Sequence, residues 1–302
     1  MDKIAIAVHG GAGKDSLFIK NNKKEYEQGL SEAAKEGHSV LKAGGNAVDA
    51  VTAAVVYLEN NPIFNAGKGS AMTIAGAIEM DAAIMDGRGR KAGAVALAKN
   101  VKNPVELAKM IMLRSNHVML SGPEALNFAR QTGVALEDDD YFKTAHQREE
   151  LMACKVDMEN SHQEKQKKGT VGAVALDREG NLAAATSTGG TAGCLPGRVG
   201  DSCIIGAGCF ADNDSCAVSG TGDGELLITG VVSHAISMMM ASQSMSLQEA
   251  CDRAVRWDPK NVTGDIGVIS VNKNGDIGIS FTSERMHRAW IDVSGASYCK
   301  IY

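Results

Sequence analysis

Short aliphatic runs alternate with amphipathic segments along the first half of the chain, and this pattern predicts strands and helices in succession. An aliphatic run over residues 4–8 predicts a central strand. Apolar residues at helical spacing over 23–43 predict an amphipathic helix that ends at Gly44 and Gly45. The pattern further predicts helices over 47–59, 103–114 and 123–132 and strands over 78–86 and 93–98.

In the second half the apolar runs come in pairs joined by turns, which is typical of β-hairpins. One hairpin is predicted over 171–186 and another over 266–281. Ser246, with Glu249 three residues later, predicts a capping box at the start of a helix. Other predicted elements are strands over 203–208 and 217–219 and helices over 226–240 and 246–256.

Because the strands come in hairpins, the sheets are expected to be antiparallel or mixed. The predicted helices can cover two stacked sheets on their outer faces. The sequence therefore predicts an α+β fold of four layers in the order αββα, in one domain over 1–302.

The segment 137–169 differs in composition from the rest of the chain. It holds nine acidic and six basic residues, so 15 of its 33 residues are charged, and few are apolar. This composition predicts a flexible, solvated linker with one helix near 145–158.

The composition is that of a soluble globular protein, with 44% hydrophobic residues, 22% charged residues and a formal net charge of −5. This charge argues against nucleic-acid or membrane-surface partners. The seven cysteines form no CxxC pair and lack zinc-ligand spacing, so reduced thiols are expected. The N-terminus lacks the order of regions of a signal peptide, and no uninterrupted apolar run reaches transmembrane length. A cytoplasmic location is therefore expected.

The junction between the charged segment and the strand that follows it carries candidate chemistry. If the bond between Gly169 and Thr170 were cut, Thr170 would have both a hydroxyl and a free α-amine. The amine could act as general base for the hydroxyl, since its ordinary pKa of about 7.7–8 is much closer to neutrality than that of lysine. The plainer interpretation is a threonine that opens a strand after a turn glycine.

Three polar turns follow, each at the end of a predicted strand. Thr188 could hydrogen-bond the nucleophile. Arg198 offers a rigid fork for a carboxylate and Asp201 could hold an ammonium, so together they would bind the charged end of an α-amino acid. Thr221 and the backbone N–H of Gly222 could stabilise an oxyanion. Taken one at a time, these residues could equally be a turn threonine, a surface ion pair and an ordinary glycine turn.

The glycine-rich stretch 9–13 does not match the spacing of a nucleotide-binding loop. It fits a tight turn at which the backbone approaches another element. His9 by itself indicates a hydrogen-bonded core histidine.

Several motifs in this order resemble the plant-type L-asparaginase/isoaspartyl peptidase family, which are N-terminal nucleophile (Ntn) hydrolases. The resemblance covers nearly the whole chain and is weakest over 134–165. The matching motifs are Gly-Thr-Val-Gly-Ala-Val from Gly169, Thr-Ser-Thr-Gly-Gly from Thr186, Gly-Arg-Val-Gly-Asp from Gly197, Thr-Gly-Asp-Gly-Glu from Thr221, His-Gly-Gly-Ala-Gly from His9, Phe-Asn-Ala-Gly from Phe64 and Glu-Met-Asp-Ala from Glu79.

The resemblance implies self-cleavage before Thr170 into chains 1–169 and 170–302, which stay together as a dimer of such pairs. Thr170 would be the nucleophile and Thr188 its hydrogen-bonding neighbour. The remaining implied substrate-site residues are Arg198, Val199, Gly200, Asp201, Thr221, Gly222, Asp223, Gly224 and, near the scissile bond, Asn65.

The implied substrates are L-asparagine and β-aspartyl dipeptides, and catalysis is expected to need no cofactor. A loop over 58–68 resembles one that holds a structural sodium ion through backbone carbonyls. Its implied ligands are Leu58, Glu59, Asn61, Phe64, Ala66 and Lys68. Two stretches depart from the family pattern, 191–194 and 264–267, and leave the leaving-group preference open.

Other functions compete with this interpretation. Glycosylasparaginase has the same fold and nucleophile, but the chain shows neither a signal peptide nor a disulfide pattern, and Gly169 rather than aspartate precedes Thr170. An endopeptidase of the same superfamily fits less well. An uncleaved, non-catalytic binding protein would not require the full set of polar turns.

Overall fold

The computed structural model describes residues 3–159, 169–256 and 264–302. Over these ranges two β-sheets stack face to face and helices cover both outer faces. The predicted four-layer αββα arrangement is confirmed.

The larger sheet has eight strands in the order β12-β11-β1-β5-β6-β2-β3-β4. All neighbours are antiparallel except β3 and β4, which are parallel. Its strands are β1 (Ala5–Gly13), β2 (Met80–Asp86), β3 (Lys91–Ala98), β4 (Met119–Ser121), β5 (Val171–Leu176), β6 (Leu182–Thr188), β11 (Arg285–Ile291) and β12 (Ser297–Lys300).

The smaller sheet is fully antiparallel, in the order β10-β9-β8-β7. Between the two sheets lies a core of mostly small side chains, many of them alanines such as Ala7, Ala83 and Ala184. Small side chains let the two sheets approach each other closely. The strands of the smaller sheet are β7 (Cys209–Ala211), β8 (Cys216–Gly222), β9 (Ile266–Asn272) and β10 (Ile277–Phe281).

The helices pack on the outer faces, α2 to α4 on the larger sheet and α9 and α10 on the smaller one. The apolar stripe expected on α2 is its buried face, and the capping box at Ser246 and Glu249 is present. The helices are α1 (Leu17–Asn21), α2 (Lys23–Lys42), α3 (Ala47–Asn60), α4 (Pro104–Arg114), α5 (Gly122–Thr132), α6 (Asp139–Phe142), α7 (Ala145–Glu159), α8 (Gly224–Gly230), α9 (Val232–Gln243) and α10 (Leu247–Val255).

Three local predictions are wrong. The strand expected over 203–208 is a series of hydrogen-bonded turns, because Ile204 N donates to Asp201 O and Gly206 has a φ of +93°. The helix expected over 226–240 is two helices, since Val231 adopts a left-handed backbone with φ +46°. The glycines after residue 8 do not end the first strand, and β1 continues to Gly13 through an irregularity between His9 and Gly11.

The charged segment is partly helical. The helix expected near 145–158 is found as α7, and α6 precedes it. Phe142 and Leu151 are buried, and the Gln147 side chain donates to Gly69 O at 2.7 Å. Residues 160–168, the remainder of the expected linker, lie outside the described residues.

Among the described residues one stretch, Gly224–Gln243, is long and apolar enough to cross a membrane by length and composition alone, and one-third of its most apolar 18-residue window is buried. This stretch comprises α8 and α9, which are separated by the left-handed Val231. One apolar stretch of this kind is weak evidence for a membrane span.

Candidate active site

The Gly169–Thr170 junction lies against the backbone of β1. A Cβ atom added to Gly169 would lie 2.1 Å from the Cα of Gly11, and one added to Gly11 would lie 2.4 Å from the Cα of Gly169. Neither position accepts a side chain without displacement of the other. The close backbone approach expected for the glycine-rich stretch is therefore present.

The backbone nitrogen of Thr170 points at the end of β8 in the other sheet. It donates to Thr221 Oγ1 at 3.2 Å, and Ala12 N donates to the same oxygen at 3.3 Å. Thr170 and Thr221 are both buried. Strands from the two sheets thus converge on the atom that would become the α-amine after cleavage.

Thr188 ends the strand next to Thr170. Val171 lies opposite Ser187 in the β5–β6 pair, and the same register continued by one residue places Thr188 beside Thr170. The Thr188 hydroxyl accepts a hydrogen bond from Gly190 N at 3.1 Å. This strand pairing places Thr188 next to Thr170, as the sequence predicted.

Asn65 holds the turn that follows Thr188. Its Nδ2 donates to Gly190 O at 2.7 Å, its Oδ1 accepts from Ala71 N at 2.8 Å, and its carbonyl accepts from Gly189 N at 3.1 Å. The structure therefore places Asn65 at this turn, where it orients the backbone after Thr188.

Arg198 and Asp201 lie close together, but within the described part of the chain Arg198 is paired with another charged residue and one carboxylate oxygen of Asp201 is not. The Arg198 guanidinium donates through Nη2 and Nε to Glu225 Oε1, at 2.9 and 3.1 Å. Asp201 is buried, and its Oδ2 has no hydrogen-bond partner among the described residues. Burial raises the pKa of Asp201 to about 7. An unpartnered buried carboxylate oxygen is a ready acceptor for an ammonium group.

The turn from Gly222 to Gly224 closes over these residues. A Cβ atom on Gly224 would lie 2.8 Å from Asp201 Oδ1 and 2.9 Å from Arg198 Nη2, so the start of α8 touches both side chains. Gly222 has a φ of +115°, and the next residue, Asp223, donates its N–H to Asp265 O at 2.7 Å. Val199 is partly buried and packs against the inter-sheet core.

For three carboxylates near the site, the sequence analysis predicted no function. Glu225 binds Arg198 as described, Glu79 Oε2 accepts from Gly197 N at 2.7 Å, and Asp81 Oδ2 accepts from Gly200 N at 2.9 Å. Burial raises the pKa of Asp81 to about 6. The Glu-Met-Asp-Ala motif gave a signal for Glu79 and Asp81, but only the fold brings them to a turn more than a hundred residues away.

His9 belongs to a buried hydrogen-bond chain between the sheets. Its Nε2 lies 2.8 Å from Ser219 Oγ, which lies 2.7 Å from Thr186 Oγ1, and Thr186 donates to Gly208 O at 2.9 Å. Burial lowers the pKa of His9 to about 3, so the ring is neutral. The prediction of a hydrogen-bonded core histidine is confirmed.

Residues 58–60 of the expected loop form the last turn of α3, and the backbone from 61 to 69 is a crowded series of turns that ends in one turn of 3-10 helix. A Cβ atom on Gly69 would lie 2.0 Å from Phe64 O and 2.6 Å from Pro62 O, and one on Gly67 would lie 2.4 Å from Glu59 O. The Glu59 side chain accepts from Ser187 Oγ at 2.6 Å and from Val105 N at 3.0 Å. Burial raises the pKa of this carboxyl to about 8.

Within residues 3–159, 169–256 and 264–302, no group of three or more His, Cys, Asp or Glu side chains is arranged to hold a metal ion. The cysteines are free thiols. A cation site in this part of the chain would therefore depend on other ligands, such as backbone carbonyls.

Comparison with known proteins identifies the family of the chain. The family described as asparaginase matches residues 2–301. The chain is similar to the isoaspartyl peptidase of Salmonella typhimurium, with 45% identity over 96% of both chains, and to that of Escherichia coli, with 44% identity over 96% of this chain and 93% of the relative. The human isoaspartyl peptidase/L-asparaginase is 41% identical over 95% of this chain and 92% of the relative.

The four-layer sandwich and the match to the asparaginase family identify the chain as a hydrolase of the Ntn class. The chain belongs to the asparaginase family.

Proposed function

We propose that this enzyme hydrolyses the β-amide of L-asparagine and the isopeptide bond of β-aspartyl dipeptides, with Thr170 as an N-terminal nucleophile generated by self-cleavage. The observation that carries the proposal is the 3.2 Å contact between Thr170 N and Thr221 Oγ1 at a junction pressed against Gly11. It puts the future α-amine next to a fixed hydroxyl in a buried site. The names of the relatives support the substrate class.

Self-cleavage begins when the Thr170 hydroxyl attacks the Gly169 carbonyl carbon. The C–N bond breaks, the nitrogen of Thr170 takes up a proton and becomes the α-amine, and an ester joins Gly169 to the Thr170 oxygen. Water then hydrolyses this ester and leaves chains 1–169 and 170–302. In the uncleaved chain this nitrogen lies 3.2 Å from Thr221 Oγ1.

In turnover, Arg198 binds the substrate α-carboxylate through the guanidinium edge that Glu225 leaves open, and Asp201 binds the α-ammonium. The Thr170 hydroxyl, deprotonated by its own α-amine, attacks the β-carbonyl. Thr221 and the backbone of Gly222 stabilise the resulting oxyanion. The leaving amine departs with a proton, and water hydrolyses the β-aspartyl ester to release L-aspartate.

The anchoring also predicts selectivity. β-Asp-Leu presents both the free α-carboxylate and the α-ammonium, whereas in α-Asp-Leu the α-carboxyl is part of the peptide bond and Arg198 loses its partner. Purified protein is incubated with each dipeptide and with L-asparagine, and L-aspartate release is measured. Rapid cleavage of α-Asp-Leu with no action on β-Asp-Leu would contradict the proposal.

Mass spectrometry of the same preparation tests the nucleophile. The chain should separate into pieces of 169 and 133 residues without added protease, as the position of Thr170 requires. Thr170→Ala should remain a single chain, and Thr170→Ser should be cut slowly. An intact parent chain after prolonged incubation would exclude self-cleavage.

We further propose that the carbonyls of the loop 58–68 hold a sodium ion. The resemblance of this loop to one that holds sodium through backbone carbonyls supports the assignment, with Leu58, Glu59, Asn61, Phe64, Ala66 and Lys68 as the implied ligands. Sodium chloride should then raise the melting temperature more than choline chloride at equal ionic strength. Equal effects of the two salts would remove the support for the site. The chemistry of Thr170 itself uses no metal or organic cofactor.

We also propose a homodimer of cleaved pairs in the cytoplasm. The apolar stretch of α8 and α9 supports an interface between copies, because two-thirds of it is not buried within the chain and Met238 and Val231 are exposed. Light scattering should give the mass of two copies, and Met238→Lys should lower it. A single-copy mass for the parent protein at micromolar concentration would contradict the dimer.

A further inference from the structure

Strand β3 has a bulge opposite Asp81 of β2. Met80 lies opposite Ala98 and Ala82 lies opposite Val95, so two residues of β3 face Asp81 alone. One of these two, Leu97, has a φ of +56°, a conformation that is unfavourable for a leucine. Bulges of this kind re-aim side chains and are common beside active sites.

The Asp81 carboxylate joins this bulge to the substrate-binding turn. Its Oδ1 accepts from Leu97 N at 2.9 Å and its Oδ2 accepts from Gly200 N at 2.9 Å, and the side chain is buried. Each oxygen therefore already has a backbone donor. Asp81 is held in place from one side and holds the turn from the other.

The turn bound by Asp81 carries the residues that are proposed to bind the charged groups of the substrate. Gly200 lies between Arg198 and Asp201 in the chain, and a Cβ atom on it would lie 3.1 Å from Arg198 Nη1 and 3.7 Å from Asp81 Oδ2. The start of the turn is fixed by the bond from Gly197 N to Glu79 Oε2. Two carboxylates of neighbouring residues in and before β2 thus hold both ends of the turn.

The same strand also pairs with the strand that ends at Thr188. Asp81 lies opposite Thr188 in the β2–β6 pair. One residue therefore connects the edge that carries Thr188, next to Thr170, with the turn that carries Arg198 and Asp201.

We infer that Asp81 is a positioning residue for substrate binding, which fixes Arg198 and Asp201 at a set distance from the nucleophile. This inference rests on the proposed function. Asp81 is buried, with each carboxylate oxygen directed at a backbone N–H group, and is therefore not presented to the substrate. Asp81 acts on the turn through its hydrogen bond to Gly200 and through the attraction between its carboxylate and the Arg198 guanidinium.

The test is Asp81→Asn, which keeps the shape but has only one acceptor oxygen, so one of the two N–H groups must face an amide donor. KM for β-Asp-Leu and the inhibition constant of L-aspartate should both rise about ten- to a hundred-fold, with kcat changed by no more than about three-fold. Self-cleavage should go to completion, because Gly169, Thr170 and Thr221 are not in contact with Asp81 through any described hydrogen bond.

Asp86→Asn is the matched control, since Asp86 lies at the other end of β2 and accepts only from Arg88 N at 2.9 Å in its described hydrogen bonds. This variant should have the same KM for β-Asp-Leu and the same inhibition constant of L-aspartate as the parent enzyme. If Asp81→Asn does not fold, Glu79→Gln carries the test, with KM and the inhibition constant shifted in the same direction by a smaller factor.

The outcomes separate this inference from the proposed function. A parent enzyme that neither cleaves β-Asp-Leu nor binds L-aspartate would refute the proposed function, and the inference would fall with it. A parent enzyme that does both, together with an Asp81→Asn enzyme that matches its KM and inhibition constant, would overturn the role of Asp81 alone. A loss confined to kcat would also overturn it.

Discussion

The backbone of Gly169 is in direct contact with that of Gly11, so closely that neither residue has room for a Cβ atom. The contact joins the residue before the scissile bond to β1, while Thr170, the residue after it, is bonded to β8 through Thr221. The bond to be cut is thus fixed on both sides by different sheets.

Gly11→Ala should slow self-cleavage by about ten-fold or more. The new Cβ would displace Gly169, and the φ of +114° at this position is unfavourable for alanine. The fraction of cut chain over time on a denaturing gel measures the effect. Gly44→Ala is the control, because Gly44 has a φ of +87° but no atom within 4 Å of the added carbon. Parental cleavage in Gly11→Ala would show that the contact is not needed.

Arg198→Lys should reduce kcat/KM for β-Asp-Leu by about ten- to a thousand-fold, mostly through KM, because lysine retains the charge but not the fork that holds a carboxylate. Steady-state kinetics measures the change. Arg88→Lys serves as the control, since its guanidinium is exposed and lies 3.9 Å from the Asp86 carboxylate. Parental KM in Arg198→Lys would place the α-carboxylate elsewhere.

The binding of substrate should weaken as the pH falls through about 7. The Asp201 carboxyl, with its pKa raised to about 7 by burial, is protonated below that pH and then no longer attracts an ammonium group. The dependence of kcat/KM on pH should therefore have an acid limb near 7, in addition to the limb from the α-amine of Thr170. Asp201→Asn should have a lower kcat/KM and lack the first limb. An unchanged pH profile in this variant would exclude Asp201 as the titrating group.

Glu59→Gln should flatten the dependence of stability on pH. The carboxyl keeps its proton up to about pH 8 in the folded state but loses it near its ordinary pKa of 4.5 when unfolded. The free energy of unfolding therefore falls as the pH rises between these values, by up to about 1.4 kcal/mol per pH unit from this group. Glutamine has no proton to lose. Denaturant unfolding from pH 5 to 8 measures the slope.

The exposed Glu36 on α2 provides the control for this experiment. Glu36→Gln should leave the slope of the parent protein unchanged. A Glu59→Gln slope equal to that of the parent would mean that Glu59 is ionised in the folded protein at neutral pH.

The sequence determined the elements whose signals are local. The period of apolar residues specified α2, the turn residues specified the β5–β6 hairpin, and the side chains at Ser246 and Glu249 specified a helix start. Motif order was sufficient to indicate the class of enzyme. These features depend on neighbours in the chain, which a sequence displays directly.

Other elements were hidden because their burial comes from distant segments. Arg285–Ile291 contains two arginines and a histidine among its seven residues, yet it pairs with β1 along its length and is largely buried. The apolar run after Cys203 looks like a strand, but its backbone bonds turn it back on itself. In both cases tertiary contacts overrode the local pattern.

The tertiary structure alone decided how the site is assembled. Thr170 and Thr221 are 51 positions apart and belong to different sheets, and their hydrogen bond exists only because the sheets stack. The hydrogen bond from Gly200 N to Asp81 Oδ2 spans 119 positions and lies beside a β-bulge that no residue pattern predicted. The sequence supplied the chemical groups, whereas the packing of the sheets set the distances between them.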